Sequence, residues 1–237
     1  MRAIGKGKKS HLKRTMFFDD GVDVARYDVV KYPHLERITD KQLGFFWRPE
    51  EVDILRDAND FKALTEPEQH IFTSNLKRQI VLDSVQGRCP NLAFLPLVSL
   101  PELETWIETW SFFETIHSRS YTHIIRNVYP NPSEVFDNIM NIKPIVECGQ
   151  DITKYYDGLM DYTIGSAYGN YGHKKAVWLA LNAVNALEGI RFYKYGGKQL
   201  YYFNTYDGAT DEVEEPAHPY VNQDQPIEEE DCESCVL

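Results

Sequence analysis

A glutamate, a histidine and a tyrosine follow one another along one predicted helix face. Glu114 and His117 are three residues apart, and Tyr121 follows at a further four, with Trp106 and Trp110 before them on the same side. An α-helix places residues at these spacings about one turn apart. Glu-x-x-His on a bundle helix offers a carboxylate and an imidazole to one metal ion. A phenol one turn further along is placed for one-electron oxidation. This segment therefore predicts a redox metal site.

Two further acids fall where apolar residues are expected. Asp83 continues an apolar stripe of its predicted helix, and Glu188 lies in an almost wholly apolar segment. A buried carboxylate without a cation is costly or takes up a proton instead. Each acid alone is more often a hydrogen-bonded or solvent-facing residue. Together with Glu114 and His117 they make three carboxylates and one histidine on three helices, a hard ligand set that suits iron or manganese better than zinc.

Prolines and glycines divide the chain into predicted helices. These helices span residues 34–47, residues 66–86, residue 101 to a point before Pro130, a short segment from Pro132, residues 145–165 and residues 173–193. Gly87 is predicted to end the second helix as its C′ residue. Strand character appears only at residues 199–204. The pattern predicts an all-α protein.

Composition excludes several classes of protein. No apolar run approaches the length of a membrane span, and residues 1–14 lack the apolar segment of a signal peptide. Four cysteines in 237 residues do not make a disulfide framework. We therefore expect a cytoplasmic protein with reduced thiols and no membrane partner.

The net charge belongs to the C-terminal part of the chain. No lysine or arginine follows Lys198, whereas eleven acids do, and the whole chain carries −11. We expect this acidic, proline-containing tail to be disordered. The basic arm of residues 1–14 could contact nucleic acid, but a solvated arm is favoured. We expect no nucleic-acid partner.

Four segments resemble the small, radical-generating subunit of class I ribonucleotide reductase. They read FFWRPEEVD, NLKRQIVLDSVQGR, PELETWIETWSFFETIHSRSYTHIIRN and NALEGIRFY. The resemblance spans about residues 15–193 and implies a ferritin-like helical bundle with a dinuclear iron centre, or manganese in some members. In that family, dioxygen activated at the metals oxidises a tyrosine to a stable radical. The radical is relayed to the large subunit, which reduces ribonucleotides to the deoxyribonucleotides needed for DNA replication.

The resemblance also implies roles for individual residues. Four of them match metal ligands of the family: Asp83, Glu114, His117 and Glu188. Tyr121 matches the radical tyrosine, and Phe192 resembles part of the apolar shell around the radical. Trp47 resembles the tryptophan that passes the electron, although alone it would be interpreted as a core aromatic. The family forms homodimers and binds the large subunit.

One part of the family pattern is missing. The family completes its second metal site with another Glu-x-x-His on a later helix, and this sequence has none after Glu188. Glu215 and His218 have the spacing, but flanking prolines exclude a helical turn. We therefore expect an incomplete second metal site, in a bundle that is incomplete at its C-terminal side.

The chain after Tyr193 resembles the C-terminus of the same enzyme's large subunit. There a tyrosine pair relays the radical, matched by Tyr201 and Tyr202, and a mobile cysteine pair re-reduces the active site, matched by Cys232 and Cys235. A thioredoxin- or glutaredoxin-type protein would reduce these tail thiols. Without the resemblance, the tyrosines would be strand aromatics, and the cysteines an incidental pair or half a zinc site.

The predicted organisation has three parts. They are a basic flexible arm at residues 1–14, a truncated ferritin-like metal-radical domain at residues 15–193 and a large-subunit-like tail at residues 194–237.

Three functional hypotheses fit this organisation. The first is a ribonucleoside-diphosphate reductase small (beta) subunit, incomplete alone and completed by a separate fragment. The second is an inactive fusion relic of the small and large subunits. The third is a ferritin-like iron-binding protein without reductase activity, which leaves Trp47, Tyr121 and the tail unexplained. Because absent helices would leave apolar faces uncovered, we expect the chain alone to fold poorly, to bind little iron and to lack activity of its own.

Overall fold

The computed structural model describes residues 9–165 and 168–187, whose regular secondary structure is helical. The α-helices are α1 (Pro33–Gly44), α2 (Asp57–Ala63), α3 (Glu66–Gln86), α4 (Cys89–Ala93), α5 (Pro101–Val128), α6 (Pro132–Phe136), α7 (Lys143–Ile164) and α8 (Tyr171–Ala186). The one β-type pairing in these ranges is an isolated antiparallel bridge between Phe17 and Val98. The predicted all-α class is confirmed. None of the helices in these ranges combines the length and hydropathy that crossing a bilayer requires.

The long helices agree closely with the sequence prediction, whereas two short helices do not. α3 has the predicted bounds, and α5 and α7 differ from the prediction by one or two residues at their ends. The prediction missed α2, which contains no buried residue, and α4, whose first turn contains Pro90. Proline is tolerated in a first turn because the N–H it lacks has no helical partner there. The predicted strand at residues 199–204 lies outside the described residues.

Local sequence explains where the long helices begin. Thr65 precedes α3, and its backbone N–H and its hydroxyl both donate to Oε2 of Glu68 at 2.7 Å, as in a capping box. Asn170 accepts the backbone N–H of His173 at 2.9 Å and so caps α8. α5 begins at Pro101 with two acids in its first turn, which is favourable at the positive end of the helix dipole.

The core lies among α3, α5, α7 and α8. α3 packs between α5 and α7, α8 packs on α7, and α1 packs on the first half of α5. A second, smaller cluster joins α3, α5 and α6 through Leu76, Ile125 and Val135, and the ring of Tyr121 packs against it. The centre of α5 is therefore held on two sides, which fixes the helix face that carries the predicted site.

Gly87 is needed for close packing rather than for a left-handed turn. It follows α3 as predicted, but its backbone is right-handed, with φ −66° and ψ −10°. A Cβ at this position would lie 3.1 Å from the carbonyl oxygen of Asp83 and 3.3 Å from Oγ1 of Thr115. Glycine therefore lets α3 and α5 approach one another beside Asp83.

A buried glutamate anchors the start of α1 to α5. Oε1 of Glu102 accepts the backbone N–H groups of Lys31 and Tyr32 at 3.0 and 3.1 Å. Tyr32 is the residue immediately before α1, whose first backbone N–H groups have no partner within the helix. Glu102 thus ties the chain entering α1 to the first turn of α5.

A buried hydrogen bond between α3 and α7 should contribute measurably to stability. The Tyr156 hydroxyl donates to Oε1 of Gln86 at 2.8 Å, and both side chains are buried. Tyr156→Phe should lower the free energy of unfolding in urea by about 1–2 kcal/mol, because it removes a partner from a buried amide. Tyr171→Phe, at a side chain that is 83% exposed, should change it by less than about 0.5 kcal/mol. Equal effects of the two substitutions would show that the buried bond contributes nothing.

Candidate metal centre

Two neighbouring helices bring three metal-ligand side chains together. Asp83 comes from α3, and Glu114 and His117 come from successive turns of α5. Each offers a ligand atom, and these atoms lie within 4.8 Å of one another. Within the described part of the chain, this is the single cluster of three or more His, Cys, Asp or Glu side chains with that geometry. The structure thus joins three of the four predicted ligands.

Hydrogen bonds orient both oxygens of Glu114. Nε1 of Trp110 donates to Oε1 of Glu114 at 2.9 Å, one turn earlier on the same helix, and both side chains are buried. Oε2 of Glu114 lies 3.1 Å from Nδ1 of His117, one turn later. Trp106 packs on Trp110 with ring centroids 5.8 Å apart. The predicted helix face on α5 therefore carries a connected row of side chains.

Tyr121 is joined to the cluster through Asp83. Its hydroxyl donates to Oδ2 of Asp83 at 2.6 Å, across the interface of α3 and α5. The Tyr121 side chain is partly buried, whereas Asp83 is only 1% exposed. A short bond from a phenol to a buried carboxylate places an oxidisable group beside the cluster and gives its proton a defined acceptor.

The electrostatics of the cluster favour a bound cation. Burial and then the nearby Glu114 carboxylate raise the pKa of Asp83 from 3.8 to about 7, while the Tyr121 hydrogen bond and His117 act in the opposite direction. With protein groups alone, a buried acid beside a second carboxylate therefore holds its proton near neutral pH. A metal ion that displaces this proton would relieve both the burial and the repulsion. Two carboxylates and an imidazole fit iron or manganese.

The other predicted site residues lie away from the cluster or outside the described residues. Trp47 is half-buried in the link between α1 and the 3₁₀ turn Pro49–Glu51. Within residues 9–165 and 168–187, no hydrogen bond or ring contact joins Trp47 to the cluster. Six predicted residues lie beyond these ranges: Glu188, Phe192, Tyr201, Tyr202, Cys232 and Cys235.

Sequence reasoning missed two features that shape the site. It placed Trp110 on the ligand face but not as a hydrogen-bond donor, although its four-residue spacing from Glu114 is a usable signal. It also missed the close approach of Gly87 to Thr115, which brings α3 against α5. No local pattern indicates that approach, because Gly87 follows α3 whereas Thr115 belongs to α5.

Comparison with known proteins shows the family of the chain. The family model described as the small chain of ribonucleotide reductase matches residues 25–202. Ribonucleoside-diphosphate reductase subunit beta of Haemophilus influenzae is 54% identical over 207 residues, which cover 80% of this chain and 54% of that protein. The chain therefore spans about half the length of the curated relatives it matches.

Solved structures show the same fold. The R2 subunit of ribonucleotide reductase from Clostridium botulinum aligns with a TM-score of 0.70 at 22% identity, covering 85% of this chain and 60% of that one. The dimanganese(II)-NrdF of Streptococcus sanguinis aligns with a TM-score of 0.60 at 18% identity, covering 78% and 60%. The predicted ferritin-like helical fold is thus confirmed for the described residues.

The comparisons also bear on the predicted junction near Tyr193. The small-chain family model continues to residue 202, across the start of the segment that resembles the large subunit. The junction and the large-subunit-like tail therefore stay predictions. Because the family model matches most of the residues and the identity to a curated relative reaches 54%, this chain belongs to the ribonucleotide reductase small-chain family.

Proposed function

We propose that this chain acts as a ribonucleoside-diphosphate reductase small (beta) subunit, in which a dinuclear iron or manganese centre oxidises Tyr121 to a radical. That radical would support the reduction of ribonucleotides to deoxyribonucleotides. The observation that carries the proposal is the 2.6 Å bond from the Tyr121 hydroxyl to Asp83, inside a cluster of three ligand side chains. A cytoplasmic location, a second copy of the chain and the large subunit as partner belong to the same proposal.

Asp83, Glu114 and His117 would hold one metal ion, with Glu188 as the fourth ligand. When bound, the metal centre supplies the oxidising equivalent that removes an electron from Tyr121. The Trp110 N–H keeps one oxygen of Glu114 in place, so that the carboxylate does not have to reorganise when the ion binds. The second Glu-x-x-His would come from a complementing part of the small subunit.

The hydrogen bond from Tyr121 to Asp83 would also manage a proton. A phenol that loses an electron becomes a strong acid and must release its proton to a nearby group. Oδ2 of Asp83 already accepts that hydrogen at 2.6 Å, so the transfer needs little movement of either side chain. A storage site for iron needs no oxidisable tyrosine on a ligand, and this geometry therefore favours radical generation over simple iron binding.

The radical would be transferred out of the site through aromatic side chains. Trp47 is the proposed first relay. It belongs to the segment FFWRPEEVD, which follows α1. Tyr201 and Tyr202, together with Cys232 and Cys235, would act as relay and redox groups if the tail has the large-subunit role that its sequence suggests. A thioredoxin- or glutaredoxin-type protein would then reduce the cysteine pair.

The metal-free chain should lose stability as the pH rises from about 4 to about 7. In this window the folded chain keeps the Asp83 proton, because its pKa is about 7, while the unfolded chain has lost it. The free energy of unfolding must therefore fall with rising pH. Metal binding releases the same proton, so the affinity for Mn²⁺ should rise through this window and level off above it.

Substitution of Asp83 separates this effect from other titrations. Asp83→Asn should flatten the decrease in urea-unfolding free energy between pH 4 and 7 and should weaken Mn²⁺ binding at pH 7. Asp161→Asn, at an exposed position of α7, is the matched control and should leave both measurements unchanged. Equal pH slopes in the two variants would contradict the assignment of Asp83.

Tyr121→Phe should abolish the tyrosyl-radical signal in electron paramagnetic resonance without reducing the bound iron. The chain is loaded with Fe²⁺ and dioxygen, alone and together with a polypeptide comprising the part of the Haemophilus influenzae relative that this chain does not match. We expect little iron and no radical for the chain alone, and both for the mixture. The Phe variant should bind as much iron as the unmodified chain but give only background signal.

Tyr129→Phe serves as the control for this experiment. Tyr129 follows α5, and its hydroxyl pairs with Thr73 rather than with Asp83. The radical should persist in this variant. A radical that survives in Tyr121→Phe would overturn the proposed role of Tyr121, and a full complement of two irons in the isolated chain would overturn the expected incompleteness.

A further inference from the structure

Buried polar atoms without hydrogen-bond partners line the interface between α1 and α5. Five of them make up what we name the α1–α5 polar seam: Oε1 of Glu36, Oγ1 of Thr39, Oε1 of Gln42, Oε2 of Glu102 and Nε1 of Trp106. The three α1 residues recur every three positions and the two α5 residues are four apart. Each set therefore lies along one stripe of its helix, and the two helices pack on one another.

Glu102 is the most deeply buried member of the seam. Its side chain is 0% exposed, and one carboxylate oxygen holds the backbone at the start of α1. The other oxygen has no partner. Thr39, across the interface, is 4% exposed and its hydroxyl is also unpaired. Because unpaired buried oxygens are costly, a group that donates to them or is coordinated by them should occupy the seam.

The charge of the seam points to a cation. Burial raises the pKa of Glu36, and the negative charges of Asp40 and Glu102 raise it further, so the two glutamates are near enough to repel. Within residues 9–165 and 168–187, neither Glu36 nor Glu102 forms an ion pair. Water could supply hydrogen bonds, but it would not offset the repulsion between the two carboxylates. A cation satisfies the oxygens and cancels the repulsion together.

We propose that the α1–α5 polar seam binds a hard divalent cation through the carboxylates of Glu36 and Glu102. The hydroxyl of Thr39 and water would complete an all-oxygen ligand set, the kind preferred by calcium and magnesium. The site is distinct from the metal centre, because Glu102 precedes Glu114 by twelve residues, or about 18 Å along α5. A bound cation would hold α1, and the segment leading from it to Trp47, against α5.

Terbium(III), a luminescent substitute for calcium, tests this site. The indole of Trp106 lies in the seam, so excitation of tryptophan should sensitise the emission of a bound ion. The full chain carrying Asp83→Asn and His117→Ala removes the ligands of the metal centre. In this background terbium should still bind with sensitised emission, and excess Ca²⁺ should displace it.

Seam variants in the same background decide the outcome. Glu36→Gln should weaken terbium binding by about tenfold or more, because it removes one ligand charge. Glu108→Gln, at an exposed position of α5, should leave binding unchanged. Trp106→Phe should dim the emission while Ca²⁺ still competes. Equal binding in the Glu36 and Glu108 variants would show that the seam holds only water, and the proposal would fail.

Thermal unfolding gives a second readout that needs no seam variant. Saturating Ca²⁺ should raise the Tm of the Asp83→Asn, His117→Ala chain, because a ligand that binds only the folded state stabilises it. Sodium at equal ionic strength should not raise the Tm. An unchanged Tm with Ca²⁺ would overturn the proposal even if Glu36→Gln failed to fold.

Discussion

The candidate metal centre depends on the contact between α3 and α5 at Asp83. A carboxylate that is 1% exposed receives the Tyr121 hydroxyl and faces Glu114 and His117. Burial makes its negative charge unfavourable and so leaves it ready for a cation. Gly87 lets α3 and α5 approach one another closely. The cluster around Leu76 and Ile125 packs the same two helices together further along the contact.

α5 carries most of the candidate site residues because it is long and packed on both sides. Over 28 residues it presents Glu102 to the start of α1, then Trp110, Glu114 and His117 to α3, and finally Tyr121. One rigid helix therefore sets the distances among these groups, and a side chain on α3 needs only to meet it at one point. Sites built on helices hold their ligands more precisely than sites built on loops.

Membership of the ribonucleotide reductase small-chain family is the basis for interpreting this geometry as a candidate metal centre. The chain spans about half of its curated relatives, and the described residues contain three of the four ligands that the sequence predicts. α3 and α5 alone thus bring together three of the four predicted ligand side chains. The α1–α5 polar seam lies near the start of the same long helix. There the buried oxygens of Glu36 and Glu102 that lack partners form a second, separate group of acidic atoms.

The sequence by itself determined the long helices, the residue types of the candidate metal centre and the family. Helical spacing put Glu114, His117 and Tyr121 on one face, because that geometry is local and repeats every turn. Only the tertiary structure decided which oxygen of Asp83 meets Tyr121, that Trp110 donates to Glu114, and that Gly87 serves packing. Those outcomes depend on how closely two helices far apart in sequence approach. That distance is set by every side chain between them, and no single motif encodes it.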